Sequence, residues 1–147
     1  NYPGTTVEVS RGIAKIKEHQ IRVIDTPGMY SLVPISEEEQ VARDLLIKES
    51  LDLVIHVVDA KNLGRMLPLT FQLMEAELPV ILAINMIDEA EQLGLKVQGE
   101  ALQIELGIPV VLMSATLNRG IRELKQTILQ YLSSPSANPL ADLEVAK

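Results

Sequence analysis

The sequence predicts an α/β protein built on a largely parallel sheet with helices on both faces. Residues 53–58 and 80–84 form short, continuous runs rich in β-branched side chains, typical of strands buried on both faces. Between them, from about Gly64 to Glu77, apolar residues recur at helical spacing and complete a βαβ unit. With 147 residues, the chain fits one domain.

A hairpin and a helix are predicted before this unit. Apolar and polar residues alternate over residues 7–17 and again over 21–24, and the polar residues 18–20 predict the turn between two antiparallel strands. Ser36 and Glu39 form an S-x-x-E capping box, so a helix should follow Ser36 and run to about Glu49.

The alternation of helix and strand continues after the βαβ unit. A helix is predicted near residues 98–106, a strand over 109–113 and a last helix from about 119 to 132. The composition then changes to Ser-Ser-Pro-Ser-Ala-Asn-Pro. We therefore predict a domain over residues 1–132, and a linker or the start of a following segment over residues 133–147.

Composition and charge exclude several classes of function. Thirteen Lys and Arg against twenty Asp and Glu give a net charge of −7, and no basic run is present, so nucleic acid is not an expected partner. The chain has no Cys, which excludes disulfides and cysteine nucleophiles. Its most apolar segment, residues 78–87, is far shorter than the ~20 residues of a membrane-spanning helix.

The first candidate site motif follows the second strand of the hairpin. Asp25-Thr26-Pro27-Gly28 is a D-x-x-G sequence. A carboxylate at this point can hold a hydrated Mg²⁺, and a glycine lets a backbone N–H approach a terminal phosphate. The alternative is a plain turn, because Asp before Pro-Gly is common in turns.

The second motif follows the strand that begins at Val80. Asn85-Met86-Ile87-Asp88 is an N-x-x-D sequence. An ionised Asp88 can accept hydrogen bonds from the ring N–H and the exocyclic amine of guanine, two donors that adenine does not offer at that edge. The alternative is that Asp88 caps a helix beginning near Glu89.

Two weaker motifs complete the set. Ser114, Ala115 and Thr116 follow the next strand, where a backbone N–H can face the guanine carbonyl and a hydroxyl can brace the loop. Thr5 and Thr6 precede the hairpin, where a hydroxyl can join a Mg²⁺ shell. Ligands bind at the carboxyl ends of parallel strands, so these motifs in this order favour a guanine-nucleotide site.

Longer stretches extend these motifs over residues 1 to about 132. They are residues 1–8, 25–32, 36–44, 57–63 and 84–90, of which Tyr-Ser-Leu, Val-Ala-Arg-Asp and Asn-Met-Ile-Asp-Glu-Ala are the most specific. The sequence resembles the translation-factor class of GTPases, and specifically the N-terminal G domain of the bacterial ferrous iron transport protein B family. The resemblance implies a Ras-like P-loop GTPase fold.

The resemblance also implies roles for individual residues. Thr6 and Asp25 would serve the Mg²⁺ shell, and the Gly28 backbone would sense the γ-phosphate, which makes Thr6 and Gly28 the catalytic candidates. Asn85 and Asp88 would select guanine. The implied nucleotide-binding residues are Thr5, Thr6, Asp25, Thr26, Pro27, Gly28, Asn85, Met86, Asp88, Ser114, Ala115 and Thr116.

The family further implies the setting in which the domain works. The segments around Thr6 and from Asp25 to about Ser36 would be switches ordered by GTP. A downstream transmembrane portion would place the domain on the cytoplasmic face of the bacterial inner membrane and couple GTP turnover to Fe²⁺ uptake, with homo-oligomerisation left open. Met29 stands where Ras-like enzymes carry a glutamine, so hydrolysis should be slow or use another device, for which K⁺ is the family's candidate.

One departure from the family is the absence of G-x-x-x-x-G-K-[ST] anywhere in the 147 residues. The phosphate loop and the first strand would then be absent, leaving two apolar sheet edges bare beside the strands that end at Asp25 and Asp59. We expect an excerpt of a longer chain, and otherwise completion of the sheet by another segment. Two further alternatives are a soluble GTPase of ribosome or tRNA maturation and a degenerate, non-hydrolysing interaction module.

Overall fold

A six-stranded sheet organises the chain in the computed structural model, which describes residues 1–133 and the backbone of residues 142–146. The strand order is β1-β2-β6-β3-β4-β5. Only the β1–β2 pair is antiparallel. The strands are β1 Ser10–Ile16, β2 His19–Asp25, β3 Leu53–Asp59, β4 Val80–Asn85, β5 Val110–Leu112 and β6 Asp142–Ala146. The predicted α/β class with a largely parallel sheet is confirmed.

Helices cover both faces of this sheet, as predicted. They are α1 Glu37–Lys48, α2 Leu63–Glu75, α3 Ile87–Gln92, α4 Gly99–Leu106 and α5 Ile121–Leu132, with a 3-10 turn at Ala60–Asn62 before α2. On one face, α5 packs on a core that includes Leu53, Ile55 and Ile81. On the other, α1 and α2 pack around Val54 and Val80. Successive residues of β3 therefore face opposite layers, as expected of a strand buried on both sides.

The hairpin turn differs from the prediction by its position. Ile16 pairs with His19, so the turn consists of Lys17 and Glu18, and His19 and Gln20 belong to β2. The prediction of a turn over residues 18–20 was wrong. Lys17 adopts a left-handed conformation with φ +53°, and this closes a two-residue connection that polarity alone does not reveal.

The capping box predicted at the start of α1 is present. The Ser36 hydroxyl accepts a hydrogen bond from the Glu39 N–H at 3.1 Å. The Glu39 carboxylate reaches one residue further back than in the usual box and accepts from the Ile35 N–H at 2.9 Å. Three acids in the first turn, Glu37 to Glu39, also face the positive end of the helix dipole.

Strand β6 bears out the second expectation, that another segment completes the sheet, but the sequence does not predict which segment does so. Residues 142–146 lie in the segment assigned to a linker, yet they form a parallel strand between β2 and β3. The expectation of two bare sheet edges is therefore wrong for this structure, because the same chain fills the gap. Residues 134–141 and 147 of the predicted linker lie outside the described residues, and the domain boundary after residue 132 stays a prediction.

No helix within the described part of the chain has both the length and the apolar character needed to cross a membrane.

Candidate nucleotide-binding site

The predicted site residues lie along one edge of the sheet. The parallel strands β2, β4 and β5 place their carboxyl ends at this edge, and a site motif follows each of them. The D-x-x-G motif begins at the last residue of β2, the N-x-x-D motif begins at the last residue of β4, and Ser114 comes two residues after β5. The register therefore brings together motifs that are far apart in sequence.

Thr6 and Asp25 line the same cleft, of about 400 Å³. Thr26, Pro27 and the acids Glu8 and Glu38 also line it, and Thr6 is exposed. Thr26 as a whole is 4% exposed, so little of this residue is accessible to a ligand. Gly28 lies beyond this cleft and is exposed.

The oxygen donors of this cleft fit Mg²⁺. A hydroxyl and a carboxylate are hard ligands, and Mg²⁺ usually takes only one or two carboxylates from protein while phosphate and water complete its shell. Among the residues that the structure describes, no group of three His, Asp or Glu side chains could hold a metal ion unaided. The donor set thus suits an ion that arrives with a phosphate ligand.

The Thr5 side chain is engaged in its own loop. Its hydroxyl donates to the Tyr2 carbonyl at 3.0 Å and accepts from the Val7 N–H at 3.1 Å. The Tyr2 N–H donates to the Val7 carbonyl at 2.8 Å and closes the same loop. Thr5 therefore braces the backbone that presents Thr6 to the cleft.

At the other end of the edge, Asn85 joins two of the predicted motifs. Its Oδ1 accepts a hydrogen bond from the Ala115 N–H at 3.0 Å. Met86 is left-handed with φ +62° and is 39% exposed, and it turns the chain directly into α3. The Ile87 N–H then donates to the Met113 carbonyl at 3.2 Å, so the start of α3 is fixed to the end of β5.

Asp88 lies in the first turn of α3, which begins at Ile87. The alternative that it caps a helix starting near Glu89 is wrong, because the cap position belongs to Met86. A hydrogen bond from the Ser114 hydroxyl is the main cause that lowers the pKa of the Asp88 carboxyl, helped by backbone N–H groups and the charge of Arg119. Burial opposes this change. Asp88 is therefore ionised at neutral pH, as an acceptor of two N–H groups must be.

Ser114 and Arg119 close the loop that carries Ala115 and Thr116. Each donates its backbone N–H to the other's carbonyl at 3.0 Å. Ser114 is 1% exposed, and its hydroxyl lies 3.4 Å from that of Thr116. Ala115 and Thr116 themselves are exposed. The loop is thus rigid at its base and open at its tip.

Gly120 ends this loop and starts α5. Its φ is +76°, and a Cβ at this position would lie 2.3 Å from the Leu112 carbonyl oxygen. Only glycine fits at this position, because the Leu112 carbonyl oxygen belongs to the backbone of β5 and cannot move aside as a flexible side chain could.

Two ion pairs that sequence reasoning missed hold α3 in place. Lys61 pairs with Glu89, and its ammonium lies 3.9 Å from the Asp59 carboxylate. The hydrogen bond with Glu89 is the main cause that raises the pKa of Lys61. Arg119 pairs with both carboxylate oxygens of Glu91, at 3.0 and 3.1 Å. The partners lie 28 residues apart in each case, so no local spacing signals them.

The segment after Gly28 is attached to α2. Met29 is 2% exposed and packs in the core between α1 and α2. The Arg65 guanidinium lies 4.3 Å from the centroid of the Tyr30 ring, within the range of a cation–π contact. Gln72 Oε1 accepts from the Leu32 N–H at 2.6 Å and from the Ser31 hydroxyl at 3.2 Å.

The α/β sheet with its helices on both faces has the Ras-like P-loop GTPase fold, as superposition on solved structures of that class shows. Comparison with known proteins identifies the family within that class. Residues 1–128 match the family model described as ferrous iron transport protein B, and the chain belongs to this family.

Curated relatives and solved structures agree with this assignment. The Fe(2+) transporter FeoB of Escherichia coli K12 is 42% identical over 135 residues, which are 89% of this chain and 18% of the relative. The cytosolic domain of T. maritima FeoB in a GDP form superposes with a TM-score of 0.87 at 43% identity, covering 92% of this chain and 54% of that one. The FeoB G-domain from Methanococcus jannaschii superposes with a TM-score of 0.82 at 41% identity. The match covers 88% of this chain and 81% of that one. This chain spans less than a fifth of the curated relative.

Proposed function

We propose that this chain is the GTP-binding and GTP-hydrolysing switch domain of a ferrous iron transporter. The observation that carries the proposal is the joining of the N-x-x-D motif to the loop after β5, through Asn85 to the Ala115 N–H and Ser114 to Asp88. Two motifs 30 residues apart are thereby held together, which supports a guanine site at this edge of the sheet.

Guanine selection rests on Asp88. Its ionised carboxylate would accept the ring N–H and the exocyclic amine of guanine, each a charge-assisted bond of about 1.5–3 kcal/mol. Asn85 Oδ1 holds the Ala115 N–H, so the Asn85 amide NH₂ is the donor we assign to the base. Ser114 and Thr116 brace this arrangement from the loop.

Phosphate binding rests on the cleft at the end of β2. Thr6 and Asp25 would hold Mg²⁺, which when bound neutralises charge on the phosphate oxygens. The exposed Gly28 has no side chain of its own to limit the approach of a γ-phosphate to its backbone N–H. Thr6 and Gly28 are thus the groups we assign to the hydrolytic step.

Met29 supports the expectation of slow intrinsic hydrolysis. Its side chain is 2% exposed, so the residue after the D-x-x-G glycine turns into the core. A thioether also has no strong donor or acceptor with which to orient water. Rapid turnover would need another group to do so.

Coupling to iron uptake is supported by the relatives. The curated relatives are named as Fe(2+) transporters, and the solved T. maritima relative is described as the cytosolic domain of such a transporter. We therefore propose a transmembrane portion downstream in the same protein, with this domain on the cytoplasmic face of the inner membrane. This proposal also disfavours the alternative of a soluble ribosome or tRNA-maturation GTPase.

Competition binding tests the proposal. A fluorescent GDP with Mg²⁺ is titrated into the chain and into the same chain extended by its upstream coding sequence, and bound probe is competed separately with GTP and ATP. We expect the extended chain to bind and GTP alone to displace the probe. Displacement by ATP at similar concentrations would reject guanine selection by Asp88.

A non-hydrolysing interaction module remains the second candidate, because the 147 residues contain no G-x-x-x-x-G-K-[ST]. Single-turnover hydrolysis of GTP by the extended chain separates the two. Nucleotide binding without phosphate release over hours would favour the module.

A further inference from the structure

Four basic side chains meet in a groove away from the residues assigned to nucleotide. Lys15 and Lys17 come from the β1–β2 hairpin, and Arg122 and Lys125 come from α5. The groove has a volume of about 390 Å³, within the range of about 300–1,000 Å³ that ligand clefts occupy. None of the described residues that line it is acidic.

Among the residues that the structure describes, these four cations lack the carboxylate partners that several other cations have. Elsewhere Arg11, Arg43, Lys48, Lys61 and Arg119 each pair with a carboxylate. Lys15, Lys17, Arg122 and Lys125 have no ion pair within the described part of the chain, and all four are exposed. In a chain of net charge −7, this groove is a local concentration of positive charge.

The arrangement on α5 is unfavourable without a ligand. Arg122 and Lys125 are three residues apart, so they are neighbours on the helix surface and repel each other. Lys15 and Lys17 add two further positive charges from the facing hairpin. An anion in the groove would convert this repulsion into attraction from both walls.

The groove also has apolar lining. Ile16, which is 8% exposed, and the half-buried Ile121 and Leu129 lie between the cations. A bare phosphate would leave this apolar surface uncovered, and a flat membrane surface does not enter a concave groove. A short peptide with carboxylates on either side of an apolar side chain matches both the charge and the apolar lining.

We propose that this basic groove is a docking site for an acidic peptide segment with an apolar side chain between its carboxylates. Asn118 also lines the groove, and its N–H donates to the Ala115 carbonyl at 3.2 Å. A bound peptide would therefore lie beside the loop that carries Ser114 and Ala115. The inference does not depend on nucleotide binding, since none of the four cations belongs to the nucleotide-site residues.

The test is a fluorescence-anisotropy titration of labelled acetyl-Glu-Asp-Leu-Glu-Asp-amide with the chain at low salt. Lys125→Glu is compared with Lys96→Glu, which makes the same charge change at an exposed lysine outside the groove. We expect Lys125→Glu to weaken binding at least roughly tenfold and Lys96→Glu less than about twofold, because only Lys125 would face the peptide. Raising the salt concentration should weaken binding to the wild type.

Three outcomes would overturn the proposal. They are no binding of the peptide, equal weakening by Lys96→Glu and Lys125→Glu, and equal binding of the neutral peptide acetyl-Gln-Asn-Leu-Gln-Asn-amide. Binding to phosphatidylglycerol vesicles that Lys125→Glu abolishes, with no peptide binding, would assign the groove to lipid instead. Thermal unfolding of both variants excludes loss of fold as the cause, and the backbone amide of Asn118 provides an NMR reporter inside the groove.

Discussion

The protonation state of Asp88 depends on residues that lie far from it in sequence. The Ser114 hydroxyl, the backbone N–H groups at the start of α3 and the Arg119 charge all favour its ionised form. The sequence marks Asp88 as a candidate through the N-x-x-D spacing, but it also permits a plain helix cap at the same position. The structure removes that alternative by starting α3 two residues earlier, at Ile87.

Asp88→Asn should exchange the base that the site prefers. The amide can no longer accept hydrogen bonds from both guanine donors, so GDP binding should weaken by roughly 100-fold or more. The affinity for xanthosine diphosphate should increase. The measurement is competition by the two nucleotides in the chain extended upstream of Asn1. Asp52→Asn, which precedes β3 at the opposite edge, is the matched control. An unchanged ratio of the two affinities would contradict the role of Asp88.

His56 is a second residue whose surroundings fix its chemistry. It is fully buried in β3, its Nδ1 lies 2.9 Å from the Thr70 hydroxyl, and burial lowers its pKa from 6.5 to about 4. His56 is therefore a core histidine, and its ring is neutral at physiological pH.

The lowered pKa of His56 should make the free energy of unfolding depend on pH. Because its pKa is depressed in the folded state, the unfolded chain binds more protons between pH 6.5 and 4, and stability falls as the pH is lowered through that range. From pH 6.5 to 5 the loss should be about 1.5 kcal/mol of unfolding free energy. Urea unfolding at the two pH values measures it. His56→Gln should remove most of this loss, whereas His19→Gln in the hairpin should leave it.

At the scale of elements, α2 controls the segment that follows the D-x-x-G motif. Gln72 and Arg65 both reach from α2 to this segment, and Met29 anchors it in the core below. The sequence predicts α2 and the switch segment separately, since both patterns are local. Their contact depends on the Gln72 side chain and the Leu32 backbone, which are 40 residues apart, and therefore on tertiary structure.

Gln72→Ala should release this segment. The Leu32 N–H would lose its acceptor, so the protection of that amide from hydrogen exchange should fall by roughly fivefold, equivalent to a hydrogen bond of about 1 kcal/mol. Gln72→Glu keeps an acceptor oxygen and should retain most of the protection. Gln126→Ala, on the exposed surface of α5, serves as the control for loss of a glutamine. Unaltered exchange at Leu32 in Gln72→Ala would show that the hydrogen bond does not hold the segment.

At the scale of the whole molecule, β6 completes the sheet. It pairs with both β2 and β3, so every strand from β2 to β4 has two neighbours. Backbone N–H and C=O groups in the centre of a buried sheet need hydrogen-bond partners. Without a strand between β2 and β3, the facing groups of both strands would lack them. Residues 142–146, which lie outside the predicted domain, supply these partners and therefore lie in the centre of the sheet.

A proline in β6 tests this arrangement. Glu144 pairs with Ile24 on one side and Val54 on the other. Glu144→Pro removes the backbone N–H and should lower the unfolding free energy by about 2 kcal/mol or more, whereas Glu144→Ala keeps the N–H and should change it little. Equal stability of the two variants in urea would show that this strand does not occupy the centre of the sheet.

The sequence by itself determined the class of fold, the order of most elements and the residues to examine at the carboxyl edge. Hydrophobic periodicity, the S-x-x-E cap and the strand-end motifs are local signals, and the chain carries them without reference to its partners. Tertiary structure decided the turn at Lys17, the start of α3, the ion pairs that hold α3 and the place of β6. Each depends on backbone conformation or on groups distant in sequence, because a local pattern records which side chains are buried but not which distant group satisfies them.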